Sequence, residues 1–194
     1  CVEDPSLITN EALPFMGVLN TTLKGGIPCR IARISFSGER AFEAYVPSDY
    51  APAMMDLLWP VAESLDGCLY GLEALGALRI EKGHAAGNEL NGTTTARDLG
   101  LGKMVSKKKD SVGNVLSERE GLNQDDGYAL VGVTPVDASK LLNNGAHIHA
   151  LGAKPAPDTD EGYVSSVCYS PMLERYIGLA FIKSGADRKG EKLR

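Results

Sequence analysis

ISFSGERAFEAYVP, residues 34–47, sets two apolar runs around a polar break, SGER. Ile34 and Phe36 lead into the break; Phe42, Ala44, Tyr45 and Val46 lead out of it, with Glu43 a lone carboxylate among them. This is the pattern of two strands joined by a turn. On such a strand Phe42 and Ala44 face one way and Glu43 and Tyr45 the other. Glu43 is then either a solvent-facing strand residue, the plainer reading, or a ligand group on a mostly apolar wall. Across a hairpin it would look toward the region of Arg33 or Ser35.

Upstream, GVLNTTLKGGIPCRIARISFSG (17–38) repeats the theme. Val18, Thr22 and Ile27 fall in an alternating strand pattern, and Gly-Gly-Ile-Pro at 25–28 predicts a tight turn into a second strand, Cys29 to Phe36. With AFEAYVP as the third, the result is an antiparallel meander. Downstream the spacing becomes helical: Tyr50, Met54, Leu57 and Leu58 recur at i, i+4, i+7 and i+8, with Ser48 as N-cap. Pro52 must then sit in the first turn and Pro60 near the end. A second helix is expected over 70–82, YGLEALGALRIEK, burying Leu72, Ala74, Leu75 and Leu78 and stopped by Gly83 as C-cap.

From about residue 93 the texture changes. YALVGVTP (128–135), GAHIHALG (145–152), GYVSSVCYSP (162–171) and YIGLAFIK (176–183) are short apolar runs between turn residues. That spacing is expected of a small antiparallel β-barrel or sandwich. APDTDEG reads as a polar hairpin loop and DDG (125–127) as a turn. The charged tail GADRKGEKLR is expected to fray. The fold class is therefore α+β followed by all-β, dividing into residues 1–92 and 93–194 within GNELNGTTTARDLGLG.

Composition bounds the function. The chain has 194 residues, a net charge of −5 and 43% hydrophobic residues, which disfavours a general nucleic-acid surface; KKKD (107–110) reads as a solvated turn. No apolar run approaches the ~20 residues that cross a bilayer, and no signal peptide is visible. Cysteines 1, 29, 68 and 168 form no C-x-x-C pair, pointing to reduced thiols and a cytoplasmic setting. The first residue, Cys1, reads like the interior of a longer protein.

Other candidate sites are weak as sequence signals. His147 and His149 share one strand face but no third metal ligand is identifiable, so an exposed face is expected and no metal. Cys168 has no basic partner and reads as core. No catalytic residue can be assigned.

RISFSGERAFEAYVP (33–47), YGLEALGALRIEKGH (70–84), DLGLGKMVSKKKDSVG (98–113) and GYVSSVCYSPMLERYIGLAFIK (162–183), in that order, resemble the folate-binding aminomethyltransferase family, which includes the glycine-cleavage T-protein. NEALPFMGV (10–18) and IPCRIARISFSGE (27–39) are similar to its branch formed by α subunits of heterotetrameric sarcosine oxidases. The resemblance implies the second half of a folate-binding α+β domain followed by the family's carboxy-terminal β-barrel. It implies that Glu43, the second glutamate of a G-E-x-x-x-E pattern, contacts the pterin ring, with Phe36, Tyr45 and Arg33 around the cofactor and Glu39 in a structural role. Tetrahydrofolate would be the cofactor here, with FAD, FMN and NAD on other parts of the complex, and the partners would be β, γ and δ subunits. The implied activity is acceptance of the one-carbon unit from oxidative demethylation of sarcosine, giving 5,10-methylenetetrahydrofolate. Three positions depart from the family pattern: Leu75 replaces an arginine that meets the folate tail in T-proteins, Lys103 an aromatic and Ser111 a phenylalanine.

Overall fold

The computed structural model describes residues 1–194, which divide into two compact units, Cys1–Leu75 and Gly76–Arg194. In the first, β1 (Val18–Leu23), β2 (Ile27–Ala32) and β3 (Glu43–Tyr45) form the expected antiparallel meander in the order β1-β2-β3. The β1–β2 turn needs positive φ at Gly25 and Gly26, which glycine adopts without a Cβ penalty. Strand β2 begins at Ile27, two residues early, and stops at Ala32, not Phe36. Beyond Ala32 the backbone leaves the ladder: Arg33 donates to the Gly17 carbonyl and accepts from Met16, both at 2.9 Å.

Alternation sorts this sheet into two faces. Leu19 and Leu23 of β1 with Ile27, Cys29 and Ile31 of β2 turn inward and pack with Val2 and Leu13. The helix α1 (Ala51–Ser64) closes that core with Met54 and Leu57. Its start differs from expectation. Ser48 makes no side-chain cap; a 3₁₀ turn, Ser48–Tyr50, leads into the helix instead. Pro52 occupies the first turn and Pro60 lies inside the helix. Tyr50 and Leu58 remain exposed, not part of the buried stripe.

Helix α2 (Leu72–Lys82) ends as expected at Gly83, whose φ is +76°. Gly83 N–H donates to Ile80 O (2.9 Å) and His84 N–H to Arg79 O (2.8 Å), the paired bonds of a Schellman stop. The buried stripe is elsewhere than predicted. Leu72 is 86% exposed and Ala74 is also exposed, while Arg79 and Ile80 are buried. Helix periodicity alone ranks leucine ahead of arginine; here the helix buries its last turn, not its first.

In the second unit, short helical turns (Gly102–Met104, α3 at Asn114–Ser117, and Glu120–Leu122) precede an antiparallel sheet. Strands β4 (Tyr128–Val133), β5 (His147–His149), β6 (Asp160–Ser170) and β7 (Arg175–Lys183) pair in the order β4-β7-β6-β5. DDG lies in a turn, with Gly127 N–H on Gln124 O at 3.1 Å. APDTDEG is only partly a loop: Pro157–Thr159 make a 3₁₀ turn, and Asp160–Gly162 already belong to β6. Ile148, Val164, Ala180 and Ile182 form the core of one sheet face, with Leu193 packed on it. The tail therefore does not fray. Arg194 exchanges backbone bonds with His149 (2.7 and 2.8 Å), because Leu193 supplies the apolar anchor that the surrounding charges obscure.

Candidate functional site

The outer face of the first sheet carries the site. Register places Arg30 opposite Tyr45 and Ala32 opposite Glu43 on one side, and Asn20 and Val18 opposite Arg30 and Ala32 on the other. Ala44 pairs with Ile31, and Glu43 and Tyr45 project together to the opposite face, as strand alternation requires. An open cavity of about 860 Å³ lies on this face, lined by Met16, Val18, Asn20, Arg30, Ile34 and Tyr45 among others. Its walls are open: Met16 is 64%, Val18 62% and Tyr45 50% exposed.

The Tyr45 hydroxyl donates to Oε2 of Glu43. That hydrogen bond to a carboxylate, with burial and the negative charge behind it, holds the Tyr45 phenol above its ordinary pKa. Glu43 Oε1 takes no side-chain hydrogen bond from the rest of the chain. Arg30 Nε donates to Asn20 Oδ1 at 2.9 Å, so a cation sits at the cavity edge across from the Tyr45–Glu43 pair. The face thus offers an acceptor, an aromatic wall and a cation, a set that suits a heterocycle with adjacent N–H groups.

Of the four residues singled out from sequence, Tyr45 lines the cavity and Glu43 is joined to it. Arg33 is turned away: its Nη1 donates to the Leu13 carbonyl at 3.0 Å. Phe36 lies in the segment after β2, where Gly38 N–H closes a turn on Ser35 Oγ at 2.9 Å. Glu39 belongs to the same turn, its N–H 3.4 Å from Ser37 Oγ. Glu43 faces Ala32, not Arg33 or Ser35. Arg30 belongs to this face as well, since the alternation in IPCRIA (27–32) puts it opposite Ile27, Cys29 and Ile31.

The second unit holds a polar cluster that sequence reasoning missed altogether. Glu89 is fully buried. Its Oε1 accepts from Ser165 Oγ and Ser166 Oγ, each at 2.6 Å. Its Oε2 accepts from Arg79 Nη1 and from Ala86 N–H, each at 2.9 Å. Arg79 Nη2 also donates to Ser166 Oγ at 2.7 Å. Two neighbouring serines reach one oxygen because the β6–β7 register shifts between Val164 and Ser166, an extra residue that breaks strict side-chain alternation. Burial would raise the Glu89 pKa, but the two hydroxyls, the Ala86 N–H and the Arg79 charge outweigh it and hold it low. Every buried polar side-chain atom here has a hydrogen-bond partner, so this is a structural clamp.

The remaining candidates have quiet surroundings. Burial and the charge of Glu81 push the Cys168 thiol up, and its Sγ lies 3.8 Å from Ala77 O; it is no ready nucleophile. His147 Nδ1 meets Asp160 at 2.9 Å and His149 Nδ1 meets Thr159 O at 3.0 Å. All four cysteines are free. Lys103 lies in the 3₁₀ turn Gly102–Met104, and Ser111 Oγ donates to Asn114 at 2.7 Å. No helix is long and apolar enough to cross a membrane.

Comparison with known proteins identifies the frame around this site. The GCVT N-terminal domain matches residues 2–109 and the glycine cleavage T-protein C-terminal barrel domain matches residues 129–194. Sarcosine oxidase subunit alpha of Rhizobium meliloti (strain 1021) is 44% identical over 188 residues, covering 96% of this chain and 19% of its own length. The subunit alpha of Corynebacterium sp. (strain P-1) is 40% identical over 190 residues, 96% of this chain and 20% of that protein. An aminomethyltransferase of Caldanaerobacter subterraneus subsp. tengcongensis is 30% identical over 172 residues, 87% of this chain and 43% of the relative. The crystal structure of glycine cleavage system aminomethyltransferase T from Bartonella henselae superposes with a TM-score of 0.73 at 22% identity, over 98% of this chain and 50% of that one. The chain spans about a fifth of the subunit alpha relatives and less than half of the aminomethyltransferase. It belongs to the glycine cleavage T-protein (GCVT) family, and its fold is that family's fold.

Proposed function

With that membership as the premise, we propose that this chain is the folate-binding portion of a sarcosine oxidase α-type polypeptide, and that Glu43 is its pterin contact. The observation that carries the reading is 44% identity to a sarcosine oxidase subunit alpha along 96% of the chain. When bound, tetrahydrofolate would supply the nitrogen that takes up the one-carbon unit from oxidised sarcosine, leaving as 5,10-methylenetetrahydrofolate. The chain's own part is placement. Glu43 Oε1 accepts from ring and amino N–H groups, a charge-assisted pair, and Tyr45, fixed by its bond to Oε2, walls the ring. Arg33, whose guanidinium donates to the Leu13 carbonyl, takes no part in this placement. Holding the reactants in register and excluding water is the catalytic contribution expected of such a site.

In this reading the polypeptide acts with β, γ and δ subunits in the cytoplasm, as an oxidoreductase on CH–NH donors with oxygen as acceptor. FAD, FMN and NAD are held elsewhere in the complex, and the chain alone is inactive. Relatives named aminomethyltransferase favour a second reading, a T-protein-like transferase; Leu75, in place of the tail-binding arginine, weighs against it. The third is a ligand-free scaffold on the same fold.

The test is to produce the complete parent polypeptide with its companion subunits and assay sarcosine with and without tetrahydrofolate. Peroxide with formaldehyde in its absence, and methylenetetrahydrofolate in its presence, is the expected result. Peroxide with formaldehyde under both conditions would make this region a scaffold. No peroxide at all would transfer the weight to the aminomethyltransferase reading.

A further inference from the structure

We infer that Met16 contacts the bound ligand and that Arg33 positions it, an inference that rests on the folate reading. Arg33 does not itself reach the ligand; it holds the turn that carries Met16.

Met16 has a φ of +67°, a left-handed backbone in which the Cβ of an ordinary residue is crowded. Four hydrogen bonds keep it there. Met16 N–H donates to Arg33 O at 2.9 Å, and Arg33 N–H returns to Gly17 O at 2.9 Å. Gly17 N–H closes the turn on Pro14 O at 2.8 Å. Arg33 Nη1 donates to Leu13 O at 3.0 Å, and Leu13 is itself buried in the core of the first sheet. Arg33 thus grips the turn at both ends, with its backbone at Met16 and Gly17 and its guanidinium at Leu13. All of these bonds lie between residues 13 and 33.

The fold alone does not account for a methionine at this position. Glycine or asparagine would take a positive φ at less cost. Met16 is exposed and has no place in the core cluster. Its side chain instead lines the cavity together with Tyr45, whose hydroxyl is bonded to Glu43. Backbone strain that the surroundings over-determine, at a residue facing a site, is a feature of ligand clamps. The side chain also suits the occupant, because a long, polarisable thioether adapts to a conjugated ring and makes favourable contacts with it. Met16 and Tyr45 then hold the apolar surface of the pterin while Glu43 reads its N–H groups.

The experiment measures tetrahydrofolate affinity and thermal unfolding in the complete parent polypeptide with its companion subunits. The proteins compared are wild type, Met16→Gly, Arg33→Met, the double variant and Glu43→Ala. Met16→Gly relieves the backbone, so its melting temperature should not fall, while affinity should drop roughly fivefold. Arg33→Met should weaken binding by a similar factor. Adding it to Met16→Gly should weaken binding no further, because both changes act through one side chain. Unchanged affinity in Met16→Gly would overturn the inference. So would a lower melting temperature in that variant, because Met16 would then be packing against another part of the complex. Additive losses in the double variant would put Arg33 in direct contact with the ligand and overturn its positioning role. Glu43→Ala separates this inference from the reading beneath it. If Glu43→Ala weakens binding and Met16→Gly does not, the folate site stands and Met16 is no contact; if wild type does not bind, both fall.

Discussion

Glu89 holds Oε2 2.9 Å from Nη1 of Arg79 while its carboxylate is wholly shielded from solvent. The other carboxylate oxygen takes both Ser165 and Ser166. Removing the acid alone therefore strands a buried guanidinium and two hydroxyls. Glu89→Ala should cost roughly 3–5 kcal/mol of stability in the second unit. Arg79→Met/Glu89→Leu, which deletes both charges, should cost less than the single change. Urea unfolding of the three proteins measures this; a double variant no better than Glu89→Ala would contradict it.

The same carboxylate gives the second unit an acid limit. Its folded pKa lies below that of an ordinary glutamate, so the stability it contributes is present above the ordinary glutamate range and lost as pH falls through the folded pKa. Thermal unfolding from pH 6 downward should show a loss of melting temperature in wild type that is smaller in Arg79→Met/Glu89→Leu. Equal acid sensitivity of the two would place the titrating group elsewhere.

Gly162 has φ +151°, and a Cβ there would stand 1.9 Å from the carbonyl oxygen of Phe181. The obstacle is ladder backbone facing the β6–β7 pair, which cannot swing aside as a side chain would. Gly162→Ala should destabilise the second unit by roughly 3 kcal/mol or more. A near-neutral change in urea unfolding would mean that β6 can shift its register.

The carboxy-terminal residues make an opposite kind of prediction, about protection. His149 and Arg194 exchange two backbone bonds, and Leu193 packs on the core beside them. Hydrogen exchange should find both amides slowed, and Leu193→Ala should speed them and cost about 1 kcal/mol, less than a fully buried leucine. Free exchange at Arg194 in wild type would show a loose tail.

Much of this architecture is legible because strand alternation is a local signal. The meander, the second sheet and the shared face of Glu43 and Tyr45 all follow from a two-residue period. The place of Arg30 on that face is equally legible in IPCRIA. The clamp was not legible. Glu89 stands in GNELNG, a loop by composition, and its partners meet it only because a bulge in VSSV sets two consecutive serines toward one oxygen. Nor was the buried face of α2, because leucines at Leu72 and Leu75 look like core until the chain's path shows Leu72 in solvent. The tail misled for a related reason: one leucine among six charges reads as solvated, yet that leucine is what docks.

The most direct measurement is the affinity of tetrahydrofolate for the complete parent polypeptide with its companion subunits, wild type against Glu43→Ala, by equilibrium titration. A lost charge-assisted contact should weaken binding roughly tenfold or more. Unchanged affinity in the variant would contradict Glu43 as the pterin contact, and no binding to the wild type would contradict the folate site itself.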